Sequence, residues 1–210
     1  MRFRNRMSAG RQLGAELARQ GWTSPLILAL PRGGVPVAAG VADVLHAPLD
    51  VVVARKIGAP AQPELAVGAV TADGAVLYDD GTLSTLGLTR ADVARRTEAA
   101  ITEAQRKQQR YQASALHRVR GRDVLIVDDG LATGLTALAA VHAVVAHRPL
   151  SVSLAVPVGS PSAIRRLETA ADAVYCLRRP ARFRAVGQWY EDFTQVTDDE
   201  VDDLLDAYGN

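Results

Sequence analysis

Two adjacent carboxylates, Asp128 and Asp129, are the residues best suited to chemistry, and a loop of small residues and hydroxyls follows them over residues 130–136. A branched apolar run at residues 124–127 precedes them and is typical of a strand buried on both faces. An alanine-rich helical pattern follows from residue 137 to about residue 147. This order of elements predicts a ligand site at the carboxyl edge of a parallel sheet.

The carboxylates and the loop suit different parts of a ligand. The free N–H groups and positive dipole end of a helix N-terminus favour a phosphate. Gly130 and Gly134 let the backbone come close, and Thr133 and Thr136 add hydroxyl donors. The carboxylates would repel a phosphate but suit sugar hydroxyls or a divalent cation. The segment therefore predicts a phosphorylated sugar, such as a ribose phosphate.

Residues 124–136 resemble, without a gap, the phosphoribosyl-pyrophosphate motif of the type I phosphoribosyltransferases: four apolar residues, two acids, two variable residues, then Ala/Asp-Thr-Gly-x-Thr. A Walker B strand would also end in acids, but the chain has no Gly-x-x-x-x-Gly-Lys-Ser/Thr loop. The resemblance implies a doubly wound, mostly parallel α/β sheet. It also implies binding of 5-phosphoribosyl 1-diphosphate (PRPP) and Mg²⁺, and transfer of the phosphoribosyl group to a nitrogenous acceptor with release of pyrophosphate.

The same resemblance implies roles for the motif residues. Asp128 and Asp129 would hold the ribose hydroxyls, directly or through Mg²⁺, and their charge would favour a cationic sugar in the transition state. The 5′-phosphate would be held by Gly130, Leu131, Ala132, Thr133, Gly134, Leu135 and Thr136. Ala132 stands where the hypoxanthine-guanine members carry an aspartate, which argues against a 6-oxopurine acceptor.

An earlier strand–loop–helix unit could bind the pyrophosphate. An apolar strand at residues 26–30 leads into Pro31-Arg32-Gly33-Gly34, and a helix follows to about residue 45. Paired glycines allow a tight turn whose N–H groups converge on an anion, and Arg32 adds a bidentate cation. The segment resembles the family's pyrophosphate loop, which often contains a non-proline cis peptide. An ordinary turn is the alternative.

Arg55 and Lys56 follow a predicted strand at residues 49–54 and begin a Gly/Ala/Pro-rich loop that extends to Glu64. A hairpin is predicted next, with strands at 65–70 and 75–78. The loop resembles the family's flexible catalytic loop, whose closure would exclude water and bring both cations to the pyrophosphate. A surface loop with solvated charges is the alternative.

The remaining elements complete a single domain over residues 1–210. We expect a core at about 24–177 and a small hood made of segments at about 1–20 and 178–210. Helical patterns cover 2–20, 89–120 and 197–207, and further strands are predicted at 151–156 and 173–177. The polar second half of the helix at 89–120 is either a solvated face or the surface of a homodimer.

The predicted hood is rich in arginine and aromatic residues. Trp189 and Tyr190 could stack on a flat acceptor ring, or they could simply anchor the C-terminal segment to the core. Glu64 and Asp192 are candidate general bases without a firm assignment.

Composition limits the class of protein. The chain has 210 residues, a formal net charge of +1 and one cysteine. These features, with no signal-peptide core and no apolar run of about 18 residues, predict a cytoplasmic protein without a membrane partner. A PRPP-sensing regulator that binds nucleic acid is the alternative function, with a basic patch at Arg178, Arg179, Arg182 and Arg184. The near-neutral charge argues against nucleic acid.

Overall fold

The computed structural model describes residues 2–113 and 115–209. The first half of the chain contains, in order, α1 (Arg6–Leu17), β1 (Leu26–Ala29), α2 (Gly34–Leu45), β2 (Leu49–Val51), β3 (Ala54–Gly58), β4 (Ala66–Thr71), β5 (Val76–Tyr78) and α3 (Asp80–Thr85). The second half contains α4 (Ala94–Arg110), α5 (Ala115–Arg118), β6 (Asp123–Val127), α6 (Leu135–Val145), β7 (Ser151–Val158), α7 (Pro161–Leu167), β8 (Ala173–Arg178) and α8 (Asp198–Tyr208).

Five strands form a parallel sheet in the order β2-β1-β6-β7-β8. Strands β1 and β6 lie inside this sheet, and every residue of both is buried. Short branched apolar strands flanked on both sides by other strands are the pattern that parallel sheets require. The predicted parallel α/β architecture is therefore confirmed.

Helices cover both faces of this sheet. Along β6, Val124 and Ile126 pack with α6 and α7 on one face. Leu125 and Val127 point to the other face, where they pack with α1, α2 and α8. Alternation along a strand sends successive side chains to opposite faces, so one apolar run builds both halves of the core.

A second, antiparallel sheet of β3, β4 and β5 corrects one prediction. Arg55 and Lys56 lie within strand β3 rather than in a loop. The chain leaves the parallel sheet after Val51, and β3 then pairs with β4. Residues 51–54 are all apolar and cross this boundary, which is why the pattern at 49–54 predicts one strand. The hairpin of β4 and β5 agrees with the prediction.

The prediction of one long helix at 89–120 is wrong. A 3₁₀ turn at Ala91–Val93 precedes α4, and α5 follows separately. Gln112, just beyond α4, has a φ of 48°, which a right-handed helix cannot accommodate. A capping box formed by Thr197 and Glu200 opens α8, which agrees with the helical pattern predicted at 197–207. Among the described helices, none has the length and apolar character needed to span a membrane.

Candidate functional site

The two loops singled out from the sequence face each other across the centre of the sheet. From β1 the chain proceeds to β2, which lies on one side of it in the sheet. From β6 it proceeds to β7, which lies on the other side. The direction of winding therefore reverses between β1 and β6. A crevice forms outside the carboxyl ends of strands at such a reversal, and open α/β folds bind ligands there. The N–H of Leu30 donates to the carbonyl oxygen of Val127 at 2.9 Å, which ties the two loops together where they begin.

Gly33 and Gly34 lie directly against the two aspartates. A Cβ at Gly33 would overlap the carboxylate of Asp129, whose Cγ would be 2.8 Å away. A Cβ at Gly34 would lie 2.7 Å from the carbonyl oxygen of Val127. The peptide bond between Pro31 and Arg32 is cis. Only residues without side chains can bring this loop so close to the carboxylates.

We expect Gly34→Ala to destabilise the protein by about 1–3 kcal/mol, because the new methyl group meets backbone atoms that cannot move aside. Gly34 is the first residue of α2, where alanine would otherwise favour the helix. Gly21→Ala is the matched control, since a Cβ there meets no atom within 4 Å. Urea unfolding of both variants measures the difference. Equal stability of the two would contradict the close approach at Gly34.

The aspartates are held in an environment that disfavours their charge. Both side chains are half-buried, and the Asp129 N–H donates to Oδ1 of Asp128 at 2.8 Å. Burial and the neighbouring charge of Asp129 raise the pKa of Asp128 well above its usual value. Burial also raises the pKa of Asp129, and Arg6 opposes that shift. A ligand that brings positive charge or hydroxyl donors would therefore stabilise both carboxylates.

Arg6 is a site residue that sequence reasoning missed, because the N-terminal arginines have the spacing of a solvated helix face. Its Nε donates to Oδ2 of Asp129 at 2.8 Å, and its Nη1 donates to the carbonyl oxygen of Thr194 at 2.7 Å. The guanidinium also lies 3.8 Å from the ring centre of Phe193. Only 11% of the Arg6 side chain is exposed. Arg6 therefore joins the N-terminal segment, the central motif and the C-terminal segment.

Helix α1 is held in place by its cap and by close helix packing. The Asn5 side chain accepts from the N–H of Ser8 at 2.9 Å, so α1 begins at Arg6. Gly10 contacts the backbone of α2 so closely that a Cβ would overlap the carbonyl oxygen of Val37. Since α2 begins at the glycine loop, this contact fixes α1 relative to the aspartates.

The predicted phosphate loop presents its backbone rather than its side chains. Leu131 and Leu135 are buried, with 2% and 3% exposure, so they can offer a ligand only backbone groups. Gly134 has a φ of 76° and precedes the first turn of α6. Within the described residues, the N–H groups of residues 132–137 donate to no backbone acceptor. These donors form a cradle suited to an anion.

The three predicted pyrophosphate cations occupy different places. Nη1 of Arg32 lies 3.8 Å from Oδ2 of Asp198. Arg55 forms an ion pair with Glu103 of α4. Lys56 follows Arg55 in β3 and so points to the opposite face, where its Nζ lies 2.6 Å from Oε2 of Glu64. The structure therefore brings Arg32 and Arg55 towards α4 and α8, whereas Lys56 points towards the connection between β3 and β4, where Glu64 lies.

The terminal segments pair with each other beside the aspartates. The N–H of Phe3 donates to the carbonyl oxygen of Trp189, and the N–H of Glu191 donates to that of Phe3, both at 2.8 Å. Tyr190 is 2% exposed, and its hydroxyl donates to the Asp129 carbonyl oxygen at 2.6 Å.

This position corrects the expectation that Tyr190 offers an exposed stacking surface, because its ring contacts Phe3 and Phe193 instead. Tyr190 is an anchor, which is the alternative that the sequence left open. Trp189 is half-buried, and its Nε1 has no hydrogen-bond partner in the described residues.

The four arginines of the C-terminal segment do not form one surface. The guanidinium of Arg178 lies 4.0 Å from the ring centre of Phe3. Arg179 pairs with Glu168 at 2.9 Å. Two of the four charges are therefore engaged within the chain, which weakens the basic patch that a nucleic-acid partner would need.

The donors at the site suit a metal only in combination with a ligand. Within residues 2–113 and 115–209, no group of three or more His, Cys, Asp or Glu side chains is placed to hold a metal ion. Asp128 and Asp129 offer the carboxylate oxygens that Mg²⁺ prefers, and Mg²⁺ commonly completes its shell with water and substrate phosphates. The pair thus fits a metal that arrives with a phosphorylated substrate.

Comparison with known proteins identifies one family of similar chains. The model of the phosphoribosyl transferase domain matches residues 3–188. Two Mycobacterium tuberculosis proteins, from strains CDC 1551 / Oshkosh and ATCC 25618 / H37Rv, are provisionally named phosphoribosyl transferases. Each is 45% identical over 205 residues, which is 97% of this chain and 46% of the relative. The chain thus spans just under half the length of these curated relatives.

Solved structures show the same architecture. The crystal structure of TT1426 from Thermus thermophilus is 40% identical, covers 100% of both chains and has a TM-score of 0.79. The AQ2163 protein from Aquifex aeolicus is 14% identical with a TM-score of 0.53, over 87% of this chain and 78% of that one. The second likeness concerns the fold alone.

Proposed function

Because the chain belongs to the phosphoribosyl transferase family, we propose that it binds PRPP and transfers the phosphoribosyl group to a nitrogenous acceptor. One observation carries this proposal: the glycine loop after β1 lies against the aspartates after β6. That contact brings the predicted anion-binding turn, the two carboxylates and the predicted phosphate loop to one edge of the sheet. PRPP has a pyrophosphate, ribose hydroxyls and a 5′-phosphate in the corresponding order.

The proposed reaction breaks the bond between the anomeric carbon and the pyrophosphate oxygen, and forms a bond from that carbon to the acceptor nitrogen. The electron pair of the broken bond leaves with pyrophosphate, and the acceptor supplies the pair for the new bond. A ribosyl cation develops between these events, so the carboxylates of Asp128 and Asp129 would stabilise it electrostatically. Arg32 and the N–H group of Gly33 would stabilise the leaving pyrophosphate, whereas the Gly34 N–H already donates to the carbonyl oxygen of Leu30.

Mg²⁺ bound with the substrate would neutralise pyrophosphate charge, with Asp128 and Asp129 as its protein donors. Arg55 and Lys56 retain a predicted role at the leaving group. The two side chains point to opposite faces of β3. A shared role for both therefore requires the hairpin of β3 and β4 to move when the substrate binds. Trp189 retains a predicted role beside a nucleobase-type acceptor, for which its half-buried ring would offer a stacking surface.

Calorimetric titration with PRPP, with and without Mg²⁺, tests the proposal directly. We expect saturable one-site binding that strengthens when Mg²⁺ is present, because the metal reduces repulsion between the pyrophosphate and the carboxylates. Binding would justify a screen of acceptors by pyrophosphate release. Absence of PRPP binding under both conditions, in a sample whose folding is verified by circular dichroism, would contradict the proposed function.

A further inference from the structure

One stripe of helix α4 faces the proposed pyrophosphate loop. Glu103, Lys107 and Tyr111 are four residues apart, so they lie one above another on the same side of the helix. Contacts fix both ends of the stripe: Glu103 forms an ion pair with Arg55, and the Tyr111 hydroxyl donates to Asp198. Lys107 lies between these two contacts and therefore faces the same space.

Lys107 has no ion-pair partner of its own in the described residues. Arg55 and Arg32 lie on either side of it, each beside one carboxylate, and the Lys107 side chain is half-buried. Burial lowers the pKa of Lys107, and the positive charges of Arg55 and Arg32 lower it further, whereas Asp198 and Glu103 oppose the shift. Three cations from three separate elements thus converge, and the carboxylates found beside them in the described residues are Asp198 and Glu103.

We propose that Lys107 is a third cation for the pyrophosphate group of PRPP, acting with Arg32 and Arg55. This inference rests on the proposed function and extends it to helix α4. In the free protein, Asp198 and Glu103 hold the two guanidinium groups in place. A bound pyrophosphate competes with these carboxylates, because it offers several charged oxygens where each acid offers two. The planar guanidinium groups can bind it bidentately, and the ammonium group adds a point charge.

Lys107→Met tests the assignment, with Arg106→Met as the matched control. Arg106 is the preceding residue of α4 and is exposed, so its removal takes one positive charge from the helix without touching the stripe. Calorimetry with PRPP, inorganic pyrophosphate and ribose 5-phosphate is run on the unaltered chain and both variants. We expect Lys107→Met to weaken PRPP and pyrophosphate binding by on the order of tenfold. Ribose 5-phosphate should bind unchanged, because it lacks the pyrophosphate. Lys107→Arg should recover part of the loss.

The three ligands separate failure of this inference from failure of the proposed function. Unchanged PRPP affinity in Lys107→Met, or an equal loss in Arg106→Met, would overturn the role of Lys107 while the proposed function stands. An equal loss of ribose 5-phosphate affinity would overturn it too, since the effect would then be general. If the unaltered chain binds no PRPP, the proposed function fails. The titration with inorganic pyrophosphate then tests whether Arg32, Arg55 and Lys107 bind an anion together. Only pyrophosphate binding that is weakened by Lys107→Met would support the anion site.

Discussion

Asp128→Asn is expected to abolish PRPP binding and, at the same time, to raise the free energy of unfolding at neutral pH. The carboxylate would lose the charge that holds the ribose hydroxyls and the Mg²⁺. The amide keeps the shape of the side chain and can still accept from the Asp129 N–H. It also removes a charge that burial and Asp129 disfavour, as the raised pKa of Asp128 indicates. Function and stability should therefore change in opposite directions.

The gain in stability has a definite pH dependence. A carboxyl whose pKa is raised by folding stays protonated in the folded state at pH values where the unfolded state has lost its proton. The unaltered chain therefore loses stability as the pH rises from the ordinary aspartate range through the raised pKa. Asparagine lacks this penalty. The variant and the unaltered chain should be equally stable near pH 3, and on the order of 1 kcal/mol apart at pH 7.

Asp123→Asn is the matched control, because the same change is made at the opposite end of β6. The carboxylate of Asp123 accepts from the Thr23 N–H and from the Ser151 hydroxyl, both at 2.5 Å. Its loss should destabilise the fold and leave PRPP affinity unchanged. Urea unfolding between pH 3 and pH 8, together with calorimetry, measures both properties. If Asp128→Asn binds PRPP normally, the placement of the ribose at Asp128 is wrong.

The central strand and its two loops could be predicted from sequence because each is a local pattern. The apolar run of β6, the acids after it and the Thr-Gly-x-Thr turn all lie within residues 124–136. The glycine loop after β1 is equally short. Their meeting at one edge follows from the rule that parallel strands have their carboxyl ends on the same side. No distant contact was needed to place the crevice.

The contacts of Arg6 and Tyr190 could not be predicted in this way. Arg6 is separated from Asp129 by 123 residues, and no spacing within α1 distinguishes it from the solvated arginines nearby. Tyr190 is buried because Phe3, at the other end of the chain, covers it. Local pattern also fails where it continues across a boundary, as in the apolar run from β2 into β3. Tertiary contacts decide such cases, because burial depends on the partner as well as on the segment.

Arg6→Met is expected to lower PRPP affinity at least tenfold, although Arg6 need not touch the substrate. The guanidinium gives Asp129 a cation beside its Oδ2, and it bridges Asp129 to Thr194 and the ring of Phe193. Without it, two half-buried carboxylates would lie next to each other, and Asp129 would lose the ion-pair partner that the described residues provide. Methionine would also leave the half-buried Oδ2 of Asp129 without its donor, so the fold should lose on the order of 2 kcal/mol.

A direct role of Arg6 in holding Asp129 can be separated from general loosening of the terminal segments. Arg4→Met removes an exposed charge two residues away, on the same segment, and should leave both affinity and stability unchanged. Arg6→Lys keeps the charge but cannot reproduce the contacts to Asp129 and Thr194 together, so it should recover part of the affinity.

Phe193→Leu removes the aromatic face beneath Arg6 while leaving its ion pair with Asp129 intact. If Phe193→Leu weakens PRPP binding as much as Arg6→Met does, anchoring of the C-terminal segment explains the effect. If Arg6→Met alone weakens it, the ion pair to Asp129 is what prepares the site.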